Sequence, residues 1–201
     1  MLLEAKNISF KYSKGEKYIF EDLNLTIKSG EIIGLIGNSG LGKTTLCKVL
    51  AGYEKPSSGE VLLDRKKIKK GIYNPVQLIY QHPDKAMNPR WKMRDILNEG
   101  GPVKKELLES LGIEMDWLER YPSELSGGEL SRFQVCRALG ERTKFLIADE
   151  ITAMLDAITQ AQIWNVILKE SKKRNIGVLV ISHNTSLAEK ITDKVISLKD
   201  I

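Results

Sequence analysis

The segment that most constrains this chain of 201 residues runs from Gly37 to Thr45 and reads Gly-Asn-Ser-Gly-Leu-Gly-Lys-Thr-Thr. It fills the pattern Gly-x-x-x-x-Gly-Lys-Ser/Thr, with an apolar run before it and a helical pattern after it. Glycines let such a loop turn successive backbone N–H groups toward an anion, and the N-terminus of the following helix adds partial positive charge. The pattern therefore predicts a nucleotide phosphate site made by Gly37, Asn38, Ser39, Gly40, Leu41, Gly42, Lys43, Thr44 and Thr45.

Two side chains of this loop carry its expected chemistry. Lys43 is placed to reach the β- and γ-phosphates of a nucleotide, and Thr44 offers its hydroxyl to Mg²⁺. A glycine-rich turn that simply follows a strand is the structural alternative, but such a turn does not explain the Lys-Thr pair. The loop thus predicts a nucleotide that is bound together with Mg²⁺.

A second element of the site follows the apolar run Phe145–Asp149, because the chain continues there with the neighbouring carboxylates Asp149 and Glu150. An apolar strand with this ending places both groups at the carboxyl edge of a sheet, where α/β proteins bind their ligands. In that position Asp149 would hold Mg²⁺, and Glu150 would orient and deprotonate an attacking water. Acidic pairs at strand ends also occur as simple caps, so the prediction depends on the combination with the glycine-rich loop.

The hydrophobic pattern predicts an α/β fold. Residues Leu23–Lys28 alternate apolar and polar side chains, as a half-buried strand does, and Leu2–Phe10 can pair with them in an N-terminal antiparallel β sub-domain. Three continuous apolar runs, each followed by a helical pattern, predict a central, mainly parallel sheet covered on both faces. The runs are Glu31–Gly37, Lys144–Asp149 and Gly177–Ser182, and the helices after them are Lys43–Ala51, Asp156–Lys172 and Thr185–Ile191.

The middle of the chain departs from this alternation. Between Pro83 and Ser126 no segment has a strand pattern, whereas Met93–Glu99 and Val103–Leu111 have helical spacing. We therefore expect one domain, residues 1–201, with a helical sub-domain inserted at residues 83–130.

Composition excludes several other classes of protein. Charged residues make up 28% and hydrophobic residues 42% of the chain, which argues against disordered, collagen-like and low-complexity chains. The net charge is only +5, and the basic clusters at residues 65–70 and 172–174 contain no aromatics, so no nucleic-acid partner is expected. We interpret both clusters as solvated turns or helix ends. Cys47 and Cys136 lie in apolar helical patterns and are expected to be buried thiols of a cytoplasmic protein.

A third motif, Leu125-Ser-Gly-Gly-Glu129, gives the chain its resemblance to a known family. It resembles the LSGGQ signature of the ATP-binding subunits of ABC transporters, and the likeness extends over essentially the whole chain. The resemblance implies a P-loop NTPase fold, ATP and Mg²⁺ as cofactors, and ATP hydrolysis. It also implies that the signature faces the γ-phosphate held by a second ATPase subunit, so that hydrolysis needs a dimer. The residues of this second half-site would be Ser126, Gly127, Gly128 and Glu129.

Four further positions fall in the order that the family uses. Gln81 resembles the glutamine that touches Mg²⁺ and senses the transporter, and His183 resembles the histidine that contacts the γ-phosphate. Asp156 is similar to the acidic residue of the D-loop, and Tyr12 stands where the family often stacks an aromatic ring on adenine. Each also has a structural alternative: a turn residue for Gln81, a strand-end polar residue for His183, a helix N-cap for Asp156 and a sheet-edge aromatic for Tyr12. Together the motifs imply a catalytic set of Glu150, His183, Gln81 and Lys43, with Thr44, Gln81 and Asp149 at the metal.

The sequence departs from the family pattern at three of these sites. Glu129 replaces the usual Gln and adds negative charge beside a polyanion, which should weaken the composite site unless a neighbour such as Arg132 compensates. Ile151 stands where proline is common, and Asn184 where aspartate is common. Neither change removes a catalytic group, so we expect an active ATPase.

Short motifs indicate a branch of the family. Met87–Arg90, Ala148 and Gln160–Gln162 resemble segments of the peptide and nickel importer ATPases. This resemblance implies permease subunits as partners, an extracytoplasmic solute-binding protein as an indirect one, and a cytoplasmic location on the inner face of the membrane. We expect no signal peptide. A bilayer span needs roughly 20 apolar residues, and we expect no run of that length. If the chain works at a membrane, another component must therefore hold it there.

Two other functions stay open at this point. One is an ABC-type ATPase that works without a permease, for example in the assembly of metal clusters. The other is a catalytically weak subunit that serves as the structural half of an asymmetric pair, because of the charge at Glu129. The sequence does not contain the long heptad pattern of DNA-maintenance relatives.

Overall fold

The computed structural model describes residues 1–13, 15–38, 40–69 and 71–198. The strands are β1 (Leu2–Phe10), β2 (Phe20–Lys28), β3 (Ile32–Ile36), β4 (Ser58–Leu63), β5 (Lys66–Lys67), β6 (Val76–Ile79), β7 (Phe145–Asp149), β8 (Gly177–Ile181) and β9 (Lys194–Ser197). The helices are α1 (Lys43–Leu50), α2 (Met93–Asn98), α3 (Lys105–Ser110), α4 (Gly127–Ala138), α5 (Ala157–Arg174) and α6 (Thr185–Ile191). Short 3₁₀ turns lie at Pro83–Ala86, Met115–Glu119 and Pro122–Glu124.

The first sheet is antiparallel and has the order β2-β1-β4-β5. Strands β1 and β2 pair from Leu2 opposite Lys28 to Phe10 opposite Phe20. Along β2 the side chains of Leu23, Leu25 and Ile27 are buried, whereas the residues between them are exposed. This confirms the predicted half-buried strand and its pairing with the N-terminal segment.

The second sheet is parallel and has the order β6-β7-β8-β3-β9. Successive residues of a strand point to opposite faces of a sheet. In β7, Leu146 and Ala148 enter one hydrophobic core, while Phe145 and Ile147 enter another. Helices α2, α4 and α5 contribute to the first core, and α1 and the antiparallel sheet contribute to the second. The fold is therefore the predicted α/β architecture, with a parallel sheet that is buried on both faces.

The region between β6 and β7 is helical in the residues that the structure describes. Helices α2 and α3 lie close to the predicted segments, and α4 begins directly after Ser126. Met93, Ile96 and Phe133 are fully buried in the core that these helices share. The bounds of 83–130 for an inserted sub-domain stay a prediction.

The hairpin of β4 and β5 was not predicted from the sequence. Asp64 and Arg65 connect the two strands, and both have a left-handed backbone, with φ of 47° and 62°. Two such residues form the tight turn that suits a twisted hairpin. In its described residues the basic cluster at 65–70 contains the exposed turn residue Arg65 and the short strand Lys66–Lys67, which agrees with its interpretation as a solvated turn. The cluster at 172–174 does form the end of α5.

Gly177 should be essential for the close packing of the two sheets. A Cβ atom at this position would lie 2.6 Å from ring atoms of Phe145 and 2.7 Å from the carbonyl oxygen of Lys28. Because the backbone at Lys28 cannot move cheaply, we expect Gly177→Ala to lower the free energy of unfolding by about 1–3 kcal/mol. Urea denaturation measures this change.

Gly100→Ala is the matched control for this substitution. A Cβ atom at Gly100 would lie 3.4 Å from Tyr73, which is an ordinary contact distance, and the φ of Gly100 is not in the left-handed region. We expect its unfolding free energy to stay within about 0.5 kcal/mol of the wild type. Equal losses in both variants would contradict the packing argument.

Candidate nucleotide and hydrolysis site

The loop between β3 and α1 has the backbone that an anion site requires. Gly40 and Gly42 have φ of 82° and 88°, a region that L side chains rarely adopt. At Gly42 a Cβ atom would also lie 2.3 Å from Cγ2 of Ile19. Only glycine therefore fits at this position, where the loop enters α1. Ser39 lies outside the described residues.

Lys43 lies across the mouth of the loop. Its side chain is buried, and its ammonium group donates hydrogen bonds to the carbonyl oxygens of Gly37 and Asn38, at 2.8 and 2.9 Å. These bonds hold the positive charge at the start of the loop. The contact of Lys43 with terminal phosphates stays a prediction.

Asp149 and Thr44 meet at the end of β7 and the start of α1. The Thr44 side chain is hydrogen-bonded to the carboxylate of Asp149, which is 2% exposed. Among the described residues, Oδ1 of Asp149 is buried without a hydrogen-bond partner. Burial is the main cause that raises the pKa of Asp149, and the Thr44 hydrogen bond opposes it. An unpaired carboxylate oxygen beside a hydroxyl is the kind of hard oxygen donor set that Mg²⁺ prefers, so the two residues fit this ion.

Glu150 leaves the sheet with a left-handed backbone, with φ of 53°. For a residue other than glycine this conformation costs of order 1–3 kcal/mol and persists only where the surroundings enforce it. The N–H of Glu150 donates to the carbonyl oxygen of Ile181 at 3.1 Å, which ties the turn to the end of β8. The strained backbone therefore places the side chain of Glu150 outside the sheet edge.

The carboxylate of Glu150 is held from two sides. His183 Nε2 lies 2.5 Å from Oε1, and Gln81 Nε2 donates to Oε2 at 3.3 Å. His183 follows β8 and Gln81 follows β6, so three strand ends bring these groups together. A cavity of about 470 Å³ opens in front of them. Its lining includes Gly40, Gly42, Lys43, Thr44, Gln81, Glu150 and His183.

Tyr12 lies beside the same loop. Its hydroxyl is 3.1 Å from Oγ1 of Thr45, and its ring meets that of Phe10 edge to face, with centroids 5.0 Å apart. Tyr12 is 57% exposed. The structure thus places Tyr12 next to the predicted phosphate loop.

The signature segment forms a separate surface. Ser126 is the N-cap of α4, and the Ser126 and Gly127 side of the turn is exposed. Within the described residues, none of 126–129 lines the 470 Å³ cavity. The structure therefore does not bring the signature to the chain's own phosphate loop.

Glu129 has a structural task that the sequence analysis missed. Its carboxylate accepts a hydrogen bond from the N–H of Ser126 at 2.6 Å, while Ser126 Oγ accepts from the N–H of Glu129 at 3.3 Å. This reciprocal pair is a capping box, and its signal was the spacing Ser-x-x-Glu. Arg132 does not compensate the charge in this structure: it donates to Leu111 O and to Gln162 Oε1.

Asp156 caps helix α5. Its Oδ1 accepts hydrogen bonds from the N–H groups of Ile158 and Thr159, both at 3.0 Å. These backbone donors lower its pKa. Asp156 is therefore the helix N-cap that was the structural alternative for this residue, and it is exposed.

A larger cavity of about 740 Å³ lies between the parallel sheet and the helical region. Thr44, Gln81 and Asp149 line one side of it, and Glu99 and Arg137 line the other. We call it the Gln81 cavity. Arg137 connects the parts of its helical wall, because it forms an ion pair with Glu99 at 2.9 Å and donates a hydrogen bond to the carbonyl oxygen of Ala86 at 2.7 Å.

The fold and the site define a P-loop nucleotide-binding protein with an α/β core. The sequence profile of the ABC transporter family matches residues 20–153, about two thirds of the chain. The chain therefore belongs to the ATP-binding subunits of ABC transporters, and as such it binds ATP and is an ATPase.

Similar proteins agree with this assignment. The nickel import system ATP-binding protein NikE of Staphylococcus aureus is 34% identical, with 99% of this chain and 87% of the relative covered. The oligopeptide transport ATP-binding protein OppF of Streptococcus mutans is also 34% identical, with 96% and 70% covered. A dimeric structure of the ATP-binding cassette MJ0796 bound to ADP and phosphate is 25% identical and has a TM-score of 0.84, with 98% and 94% covered. Within the described residues, no helix is both long and apolar enough to cross a membrane.

Replacing Asp149 with Asn should stabilise the nucleotide-free protein at neutral pH. Because the folded state raises the pKa of this carboxyl above its ordinary 3.8, the folded chain holds the proton more tightly than the unfolded chain. The free energy of unfolding therefore falls as the pH rises above 3.8 and this carboxyl ionises. The loss is still present at pH 7. We expect Tm to rise by about 2–4 °C, the shift that roughly 1 kcal/mol produces. Differential scanning calorimetry measures it.

Asp95→Asn controls for the general effect of removing a carboxylate, since Asp95 is exposed. Its Tm should stay near that of the wild type. A lower Tm for Asp149→Asn, or the same rise in both variants, would show that burial of Asp149 is not the cause.

Proposed function

We propose that this chain is the ATP-hydrolysing subunit of an importer for nickel, peptides or related small solutes. The observation that carries the catalytic part is the contact of Glu150 with both Gln81 and His183, at the mouth of the phosphate loop. The identity to NikE and OppF over nearly the whole chain supports the import of such solutes. The segment Met87–Arg90 agrees with the same branch.

Each residue of the site has a separate role in binding or hydrolysis. Lys43 moves its ammonium from the loop carbonyls to the β- and γ-phosphates of ATP, and Tyr12 stacks on adenine. Glu150 accepts a proton from the attacking water, while His183 and Gln81 hold its carboxylate in place. Thr44, Asp149 and Gln81 would hold Mg²⁺, which neutralises developing charge on the phosphates. The backbone N–H groups of residues 37–45 hold the phosphate oxygens, as does the N-terminus of α1.

A second ATPase subunit completes the site. The turn at Ser126 and Gly127 is exposed and lies outside the cavity of its own phosphate loop. A Ser hydroxyl and glycine N–H groups at a helix N-terminus form an anion site, so this turn suits the γ-phosphate of ATP on a partner. Two subunits then enclose two ATP molecules, with Asp156 near the contact. ATP stabilises the closed pair because it contacts both subunits only in that state.

The Gln81 cavity is the surface that we assign to the permease subunits. It joins Gln81, which touches Glu150, to the helical wall of Glu99 and Arg137. A permease segment bound there would be displaced when the pair closes and the helical region, residues 83–130, moves. The chain would then sit on the inner face of the membrane, held by the permease, and a solute-binding protein would take part indirectly.

Two substitutions test the catalytic assignment. Glu150→Gln removes the base but keeps the shape of the side chain, so we expect ATP binding to persist while hydrolysis falls by at least about 100-fold. Lys43→Ala removes the charge that faces the phosphates, so binding itself should be lost. Phosphate release and nucleotide binding measure the two effects. Normal turnover in Glu150→Gln would exclude Glu150 as the base, and retained affinity in Lys43→Ala would exclude the loop assignment.

Glu129→Gln tests the role of the signature charge. Glutamine preserves the capping box, so helix α4 should stay intact. Loss of the negative charge beside the triphosphate should lower KM for ATP by about fivefold, as roughly 1 kcal/mol of charge repulsion predicts.

Glu129→Ala is the matched control, because it removes both the charge and the carboxylate that accepts from the N–H of Ser126 in the capping box. We expect its Tm to fall below that of Glu129→Gln. A higher KM in the Gln variant would mean that the carboxylate assists ATP rather than repels it.

A further inference from the structure

The segment between β7 and α5, residues Glu150–Asp156, is built only from turns. The N–H of Ala153 donates to the carbonyl oxygen of Glu150 at 3.1 Å, and the N–H of Leu155 donates to that of Thr152 at 3.2 Å. Glu150 begins the segment in a left-handed conformation. Since no helix or strand ladder holds this segment, side-chain contacts add to these backbone bonds in fixing its conformation.

Packing alone does not fix the segment on one of its sides. A cavity of about 320 Å³ lies between it and the end of β8, and Glu150, Thr152, Trp164 and His183 are among the residues that line this cavity. An unfilled space forfeits the contacts that would otherwise restrain its lining. Directional hydrogen bonds therefore add a restraint on this side of the segment, beside the packing of the buried Ile151.

Thr152 receives two such bonds. Its side chain is buried, and its Oγ1 accepts from Gln160 Nε2 at 2.7 Å and from Trp164 Nε1 at 3.1 Å. The two donors are four residues apart and so lie on one face of α5. Trp164 is itself packed in the core beside the parallel sheet, so its indole N–H is a fixed point. A hydroxyl has two acceptor lone pairs, and both can be used here.

The far end of the segment is tied to the same helix. Asp156 accepts hydrogen bonds from the N–H groups of Ile158 and Thr159 in the first turn of α5. The chain that carries Glu150 is thus fastened to α5 at two points, Thr152 and Asp156. These two points, with the bond from the N–H of Glu150 to Ile181, restrain the backbone that carries the Glu150 carboxylate.

We propose that Thr152, held by Gln160 and Trp164, is a positioning residue for hydrolysis, which keeps Glu150 aimed at the attacking water. The proposal rests on the proposed function of Glu150 as the base. Thr152 does not touch the nucleotide cavity, whose lining within the described residues excludes it. Its loss should therefore change turnover and leave ATP affinity unchanged.

Thr152→Val tests the proposal, because it keeps the shape of the side chain and removes the acceptor. We expect kcat to fall by about 10- to 100-fold, since a displacement of about 1 Å in a catalytic group costs up to about 100-fold. The Kd for ATP should stay within about twofold. Thr152→Ser restores the hydroxyl and should return kcat to within about threefold of the wild type. The indole N–H resonance of Trp164, assigned with Trp164→Phe, should shift in the Val variant and stay in the Ser variant.

Thr143→Val is the matched control for the loss of a buried threonine hydroxyl. Thr143 is 1% exposed, its hydroxyl bonds Tyr73 at 2.8 Å and Ala138 O at 2.7 Å, and it precedes β7 at the end remote from Asp149. We expect a lower Tm and a kcat within twofold of the wild type. An equal loss of kcat in Thr143→Val, an unchanged kcat in Thr152→Val, or a Ser variant as slow as the Val variant would overturn the proposal.

Glu150→Gln, measured in the same assay, separates this inference from the proposed function. If Glu150→Gln is inactive and Thr152→Val is fully active, only the positioning role fails. If Glu150→Gln turns over normally, the assignment of the base fails, and the positioning role fails with it.

Discussion

The register of the parallel sheet is the constraint on which the site depends. Leu35 pairs with Ile181, Ile181 with Asp149, and Ala148 with Ile79, so the carboxyl ends of four strands are level. A slip of one residue in any strand would turn its side chains to the opposite face and move its catalytic residue out of reach. The residues that leave the sheet just beyond these pairs are Gly37, Gln81, Glu150 and His183.

Several polar groups at this edge of the sheet are unpaired or strained in the folded chain. Asp149 is buried with one oxygen unpaired among the described residues, Glu150 has a strained backbone, and the ammonium of Lys43 donates to two loop carbonyls. Such features cost stability, and proteins keep them where a ligand or a reaction uses them. The signature turn differs in this respect, since Glu129 and Ser126 satisfy each other's backbone. The apparent defect of a glutamate in the signature is therefore also a stable helix start.

Most of the fold was predictable because its signals are local. Continuous apolar runs marked β3, β7 and β8, and the glycine-rich loop marked the start of α1. The hairpin at Asp64 and Arg65 escaped because its turn uses residues without glycine, so only the folded chain shows their left-handed backbone. The contacts of Thr152 with Gln160 and Trp164 escaped for another reason: they form between a turn and a helix face, and no sequence pattern specifies which donors a buried hydroxyl meets. The individual roles of the site residues stay predictions until variants are measured.

In the proposed function, one chain carries two incomplete halves of an ATP site. The most direct test is the specific ATPase activity of the chain, measured as a function of its own concentration. The account predicts an activity per chain that rises with concentration toward a plateau, and that is lost in Ser126→Arg, because a bulky cation blocks the exposed turn. A specific activity that stays constant over a hundredfold dilution, with Ser126→Arg as active as the wild type, would contradict it.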